Sequence, residues 1–513
     1  MRKEGIYLSK RFFKSGIILT LVGLAMRTVA MFFSAFISRT VGAEGTGLYT
    51  LIMTVYSFAL TLATSGISLT VTRLVASAIG EGRPEQVGRV LRGAFLYSLA
   101  FGLLATVGLF FGAELLGARV LSDERTTTSL RVLAFSLIPA SLSSALSGYF
   151  VGVKRVAFNA AVSVFSQAVR IILTVVLVIY LAPYGIVSAV IGLCIGITLT
   201  EILGFWLIFF EFLYDWRKNG KKGSDKSPAI SAVGATALPL GFSAYVRSLL
   251  LNVEHILIPK KLRESGESQS EAYSHYGTLH GMALPLVTYP MSPLSSFAGL
   301  LVPEFAEDMS AGRRDRMSRI ASRATNATLT YAIISAVFLY VFAEELGFVI
   351  YDSYDAGYYI STLAFVVPIM YLDHVTDSML KGIGEQVFSM WVNISDSLLS
   401  VILVWLLIPR MGIMGYAVVI VIMESYNFLL SFMRLKRKIR FDISPVRSII
   451  LPLACAMAAA YISRLIFNFG GSSVSPVWLV IKMVFALCIT VIPLALINAG
   501  REYKTEKILA GQN

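Results

Sequence analysis

Apolar runs of about 20 residues or more recur from one end of this chain to the other, each long enough to cross a hydrocarbon core of roughly 30 Å as a helix. That recurrence leaves few folds open. Transmembrane strands would show short alternating segments, and none is present, so a barrel is not a competitor. A soluble chain of 513 residues that is 56% hydrophobic and 15% charged, with a mean hydropathy of +0.72, could not cover its apolar surface. The expected fold is an all-α polytopic membrane protein of about 14 transmembrane helices. The spans fall at about 15–38, 47–68, 93–117, 130–151, 158–181, 185–213, 232–258, 277–302, 325–349, 358–380, 387–409, 412–433, 447–468 and 476–498.

The distribution of charge tests this plan. With the N-terminus in the cytoplasm, thirty of the 44 Lys and Arg fall in inside segments, seven in outside segments and seven within or at the edges of spans. This is the bias of the positive-inside rule, and an even span number places both termini in the cytoplasm. The net charge of +13 thus follows from topology. It needs no nucleic acid, and clusters such as Arg434-Leu-Lys-Arg-Lys438 face anionic headgroups. The first apolar run is too long for a signal-peptide core and has no convincing cleavage site, so it reads as a helix. Cys194, Cys455 and Cys488 all lie inside spans and read as small apolar fillers, neither a disulfide framework nor metal ligands.

The chain repeats itself. A shift of 230 residues brings Gly82-Arg83 onto Gly312-Arg313, Arg89 onto Arg319, Gly152 onto Gly382, Phe158 onto Phe388 and Gly185 onto Gly415. A shift of 220 brings Arg27 onto Arg247, the difference being absorbed by a longer loop near 259–275. The expected organisation is an N-terminal six-helix lobe (1–213), a basic cytoplasmic linker (214–230), a C-terminal six-helix lobe (231–440), and two extra helices with a cytoplasmic tail (441–513). Six spans per half give both halves one orientation. That is a parallel repeat about an axis along the membrane normal, with a substrate path expected at the lobe interface.

Charged residues inside spans are costly, roughly 2.5–3.5 kcal/mol each on insertion scales, and are retained when they face a cavity or a partner. Arg27, Arg170 and Arg247 are such residues, on spans 1, 5 and 7. Span 5 carries a stripe of Ser163, Ser166, Arg170 and Thr174, and Glu254 lies two turns from Arg247. Two readings stand. Each arginine is neutralised by an acidic neighbour and locks helices together, or the set faces one space suited to a phosphate or pyrophosphate group. Acids gather in the second half: Asp373, His374 and Asp377 on span 10, Asn393 and Asp396 on span 11, Glu424 with Asn427 on span 12. They could hold Na⁺ or carry a proton, while Asp377 with Lys381 also reads as a plain helix-end ion pair. Span 8 holds Pro285, Pro290 and Pro293, which read as a fixed kink or as a hinge. No GxxxxGK[ST] loop occurs, so ATP hydrolysis is not expected, and neither is a resident cofactor beyond a Na⁺ or H⁺ coupling ion.

The stretch Met26-Arg27-Thr28, then Ile37-Ser-Arg39-Thr-Val-Gly-Ala-Glu-Gly-Thr-Gly-Leu-Tyr49, then Leu62-Ala-Thr-Ser-Gly66, resembles the stage V sporulation protein B group. That group is similar to the MurJ-type lipid II flippases and polysaccharide exporters of the MOP superfamily. The resemblance implies two six-helix lobes working by alternating access. It implies a flippase, not an enzyme, that moves undecaprenyl-pyrophosphate-linked saccharides from the inner to the outer leaflet of the cell membrane. Arg27 and Arg247 then correspond to the family's cavity arginines, with Arg170 and Arg39 as further substrate contacts. Spans 13 and 14 shape a lipid-tail groove, and Asn393, Asp396 and Glu424 stand nearest to the family's sodium site. The implied partners are a lipid-linked oligosaccharide and membrane lipids, with the chain a monomer. A cation-coupled multidrug antiporter of the same superfamily is the rival, disfavoured by arginine in the first-lobe cavity. A membrane glycosyltransferase or polymerase is disfavoured by the short outer loops.

Overall fold

The structure is a computed structural model that describes the backbone of residues 2–64, 66–153, 155–219, 228–468 and 475–510. Within these, the side chains of 2–27, 84, 156–160, 219, 239, 240, 243, 468 and 495–510 lie outside the described set. Among the described residues the regular structure is entirely helical. The helices are α1 (Arg2–Thr64), α2 (Ile67–Gly80), α3 (Val87–Leu115), α4 (Thr126–Ala134), α5 (Leu137–Gly152), α6 (Val156–Leu181), α7 (Ile186–Asn219), α8 (Ile230–Glu264), α9 (Gln269–Tyr276) and α10 (Leu284–Thr288). They continue as α11 (Met291–Ser310), α12 (Arg314–Val341), α13 (Ala343–Tyr351), α14 (Tyr354–Ala364), α15 (Val367–Gly382), α16 (Gln386–Met411), α17 (Ile413–Lys438), α18 (Leu451–Asn468) and α19 (Pro476–Ala510).

The chain is an all-α polytopic membrane protein. Among the described residues nine helices are long and apolar enough to cross a membrane, and eleven spans result when each of two bent pairs counts once. The gap from the fourteen expected spans has three sources. Expected spans 1 and 2 both fall on α1, which is two helices joined at a kink, the backbone of Gly42 between them being non-helical (φ 72°, ψ −176°). Expected span 7 is α8, which carries Arg247, Asn252, Glu254, His255, Lys260 and Lys261 and is the more polar for it. Expected span 8 is not one helix: a π-helical stretch, Gly277–Ala283, leads into the five-residue α10 and then, past Pro290, into α11.

The proline-broken segment has its freed carbonyls satisfied by side chains. Tyr371 Oη donates to Val287 O at 2.9 Å, Tyr331 Oη to Pro290 O at 2.7 Å, and Thr288 Oγ1 to Pro285 O at 3.2 Å. Thr28 and Tyr289 share a hydroxyl–hydroxyl bond of 2.6 Å. Inside a membrane no water is at hand for an open carbonyl, so such bonds are what allow three prolines here.

The repeat is visible in the backbone. The bent pair α4–α5 turns by 41° and α14–α15 by 58°, and α5 and α15 end at Gly152 and Gly382. Ser122 (φ 57°) and Asp352 (φ 56°) stand 230 residues apart and are the only non-glycine residues with positive φ among those described. Gly82 (φ 72°) and Gly312 (φ 68°) turn the chain after α2 and α11 in the same way.

The chain packs as two compact units. One comprises Met1–Arg39, Thr278–Ser400 and Ile413–Asn513, the other Thr40–Gly277 and Val401–Gly412. The core of the Thr40–Gly277 unit is Ile67, Val71 and Val75 of α2 with Leu91 of α3, Leu146 and Phe150 of α5, and Phe212 of α7. The core of the other unit joins Leu301 and Phe305 of α11 to Met317 and Ala321 of α12, Met379 of α15 and Leu435 of α17. At one end of that unit Asp308, fully buried, takes hydrogen bonds from Arg313 at 2.6 Å and Arg316 at 3.2 Å. Lys482 of α19 reaches Glu345 of α13 at 3.3 Å, and both side chains are largely buried.

The stretch that carries the family resemblance is architectural in this fold. Arg39 caps α13: its Nε donates to Ile350 O at 2.9 Å and its Nη2 to Val349 O, carbonyls that the last helical turn leaves open. Gly42 sits at φ 72°, where a Cβ would be strained. Glu44 accepts from Arg125 at 3.0 Å and Ser270 at 2.7 Å. At Gly47 a Cβ would stand 2.0 Å from Tyr273 O, so only glycine permits that approach of α1 to α9.

Candidate functional site

Within the Thr40–Gly277 unit, α1, α5, α6 and α7 enclose a cavity of about 490 Å³. Three of the four residues of the sequence stripe on α6 face it, Ser163, Ser166 and Arg170, joined by Gln167, while Thr174 is not in its lining. From α5 come Ser143, Ser144 and Ser147, from α1 Thr64, and from α7 Thr200 and Glu201. Gly204, one turn below Thr200, keeps the wall open: a Cβ there would stand 3.2 Å from Ser166 Oγ.

Arg170 Nη2 pairs with Glu201 Oε1 at 2.8 Å, both side chains partly buried, so the cavity wall carries a matched charge pair inside the membrane. The pairing is incomplete. Arg170 Nε, Ser143 Oγ and Ser166 Oγ are buried atoms without a hydrogen-bond partner among the described residues. Buried polar atoms left open cost roughly 1–3 kcal/mol each, so a concentration of them on one cavity marks a place where an occupant completes the bonds. What fits is a neutral, hydroxyl-rich group, or an anion that draws Arg170 away from Glu201.

The rim links this cavity to α8. Ser248 Oγ donates to Thr61 Oγ1 at 3.3 Å, and Thr61 lies on α1 between the lining residues Leu60 and Thr64. Beside Ser248 stands Arg247, exposed and with no hydrogen bond or ion pair to a described residue. Arg27 lies in α1 but its side chain is outside the described residues. Arg39 spends its guanidinium on the end of α13, as above.

In the other unit the structure brings together the four carboxylates singled out from sequence. Asp373 and Asp377 of α15, Asp396 of α16 and Glu424 of α17 are close enough for their charges to interact. Asp377 also pairs with Lys381 at 2.6 Å, the helix-end bridge that the spacing suggested. Asn393 Nδ2 donates to Ser389 O at 2.8 Å. Among the described residues no group of three or more His, Cys, Asp or Glu is arranged to hold a metal ion. Pro285, Pro290 and Pro293 lie at the breaks around α10 and in the first turn of α11.

Sequence reasoning did not find two further cavities of this unit. An apolar groove of about 430 Å³ runs along α12 from Leu329 and Ile333 to Tyr340, closed by Phe365 and Pro368 and by Leu453 and Met457 of α18. Expected span 13 thus contributes to an apolar groove, and expected span 14 is absent from its lining. The second cavity, lined by tyrosines, adjoins the groove at Tyr340.

The fold and cavity define a multi-span helical membrane protein with a polar, charge-paired hollow in one of its units. The family model described as polysaccharide biosynthesis protein matches residues 12–309, more than half of the chain, and the chain belongs to that family. A second model, MatE, matches residues 281–406. Stage V sporulation protein B of Bacillus subtilis (strain 168) is 28% identical over 423 residues, 80% of each chain. Among solved structures, lipid II flippase MurJ in an inward closed conformation superposes with a TM-score of 0.71 at 15% identity, covering 95% of this chain and 100% of that one. An inward-facing multidrug resistance MATE family transporter of the MOP superfamily gives 0.67 at 16% identity, over 82% and 97%. At these identities the solved structures share the fold of this chain.

Proposed function

We propose that this protein flips an undecaprenyl-pyrophosphate-linked saccharide from the inner to the outer leaflet of the cell membrane by alternating access, with both termini in the cytoplasm. The observation that carries the reading is the cavity around Arg170 and Glu201, whose open Arg170 Nε, Ser143 Oγ and Ser166 Oγ suit sugar hydroxyls. Arg247 supplies a fixed positive charge inside the membrane without a described partner, which suits the pyrophosphate, and Arg27 is assigned the same role from sequence. The apolar groove along α12 suits part of the polyprenyl chain. The segment around Pro285, Pro290 and Pro293 is the hinge in this reading. The carboxylates Asp373, Asp377, Asp396 and Glu424, with Asn393 beside them, are the place where Na⁺ or H⁺ would couple.

The antiporter reading draws on the MatE match and on Glu201 in the cavity. Against it, the Arg170 guanidinium leaves that wall without the net negative charge that would concentrate a cation. Cells depleted of their lipid II flippase separate the two. Rescue of growth by this chain supports the flippase, and efflux of cationic dyes without rescue supports the antiporter.

A further inference from the structure

The tyrosine-lined cavity next to the apolar groove has no part in the function derived above. It holds about 400 Å³ and is built from three helices and one helix end. Tyr354, Tyr358 and Ser361 lie on one face of α14, at steps of four and three residues. Tyr461 and Arg464 share a face of α18, Tyr340 closes α12, and Glu344 begins α13. A Cβ at Gly357 would fall 2.8 Å from Glu344 Cα, so the bare glycine lets α14 settle onto α13 and sets that carboxylate beside the tyrosine face.

Tyrosine is common where helices leave a membrane, and scattered rings there need no ligand. Here the four rings converge on one hollow and remain 43–61% exposed; Tyr340 and Tyr358 meet Phe365 and Tyr359 edge-on and Tyr354 stacks one face on Phe348, which leaves much of each ring open to the hollow. Arg464 and Glu344 stand 4.0 Å apart, beyond hydrogen-bond reach, and neither makes another hydrogen bond to a described residue. They form a loose ion pair, partly exposed, that leaves N–H groups of Arg464 and carboxylate oxygens of Glu344 open to a further partner. The cavity meets the apolar groove at Tyr340, which lines both. Polar hollow and greasy slot together match a molecule with a polar head and a hydrocarbon chain.

The head can be specified further. Flat aromatic faces stack against the C–H face of a pyranose, while a carboxylate and a guanidinium exchange hydrogen bonds with its hydroxyls. A ring of tyrosines would also suit a quaternary ammonium head, but the Arg464–Glu344 pair leaves the hollow without the net negative charge that would draw one in. The position is informative too. Tyr340 lies about 25 Å along α12 from Arg323, the last of a basic turn that also holds Arg314, Arg316 and Arg319. The basic end belongs in the cytoplasm, which sets the tyrosines at the opposite face.

We propose that this cavity is a second saccharide site, which receives the sugar head of a glycolipid at the outer leaflet while its chain lies in the groove along α12. The proposal rests on reading the chain as a carrier of lipid-linked saccharide, and its test reads binding without transport. The full chain, held in an amine oxide micelle, is exposed to decyl maltoside or to decyl phosphocholine, and bound copies are counted by native mass spectrometry. The wild type should retain the maltoside about tenfold better than the phosphocholine. Tyr354→Ala with Tyr358→Ala should abolish that preference, and the paired Tyr→Phe changes, which keep the rings and the fold, should preserve it. Leu453→Trp, which fills the groove, should weaken both ligands alike. Equal retention of the two heads by the wild type, or an intact preference in the double Ala variant, would overturn the site. A chain that binds the maltoside here but flips nothing contradicts the carrier reading and leaves the site standing.

Discussion

Arg170 and Glu201 are bonded at 2.8 Å across the wall of a membrane cavity, yet Arg170 Nε, on the same guanidinium, has no partner among the described residues. The pair is therefore both a structural clamp between α6 and α7 and an unfinished binding surface. The two roles separate by mutation. Arg170→Ala strands a partly buried carboxylate and should destabilise the protein by about 2–4 kcal/mol, the cost of breaking such a pair from one side. Combining it with Glu201→Gln should recover most of that loss in a thermal melt while transport stays absent. Recovery of transport in the double variant would reduce the pair to a clamp.

The proline-broken segment depends on hydroxyl donors. Tyr371→Phe removes the bond to Val287 O and keeps the ring, leaving a buried carbonyl unsatisfied at a cost of about 1–3 kcal/mol. The expected result is a lower unfolding temperature with the fold retained. An unchanged melt would show that another donor reaches that carbonyl.

Glu385, in the turn between α15 and α16, accepts from Lys438 at 2.7 Å and from Arg434 at 2.8 Å, and these two cations hold its carboxyl below the usual range. A carboxyl with a depressed folded pKa contributes stability that is fully present above its unfolded pKa of about 4.3 and is lost as pH falls through the folded value. Melts of the wild type and Glu385→Gln between pH 7 and pH 3 should therefore converge at the acid end. Parallel curves would contradict the assignment.

For the four clustered carboxylates the expected outcome is a change in coupling. If Asp396 or Glu424 binds Na⁺, its Asn or Gln variant should make transport insensitive to external Na⁺ at constant membrane potential. If the cluster only braces α15, α16 and α17, the same variants should lose stability with no change in ion dependence. Initial rates with Na⁺ and potential varied independently distinguish the two.

The fold was legible because hydropathy and charge report the membrane directly, whatever the helices do within it. Breaks were less legible. The break between expected spans 1 and 2 falls at Gly42, but the sharpness of that kink is a backbone event, φ 72° and ψ −176°, that composition does not show. The polarity of α8 and the splitting of the segment around α10 come from Arg247, Glu254 and three prolines, visible as residues but not as broken elements. One wall of the cavity could be read from the Ser163, Ser166, Arg170 stripe, because helical spacing puts those residues on one face. Ser143, Ser144 and Ser147 could not, since only the packing of α5 against α6 and α7 turns them inward. The tyrosine cavity was invisible for the same reason. Its rings come from helices far apart in sequence, and each alone looks like an interfacial anchor.

The most direct test of the central claim is the appearance of a lipid-linked saccharide headgroup at the far leaflet of proteoliposomes holding the purified chain, read by an impermeant lectin or glycosidase. The account predicts rapid, protein-dependent exposure of an undecaprenyl-pyrophosphate-linked sugar. It further predicts loss of that exposure in Arg170→Ala and in Arg247→Ala at matched amounts of folded, reconstituted protein, with Arg247→Lys recovering it only in part because an ammonium lacks the planar fork. Exposure no faster than in empty liposomes, or full activity in both Ala variants, would contradict it.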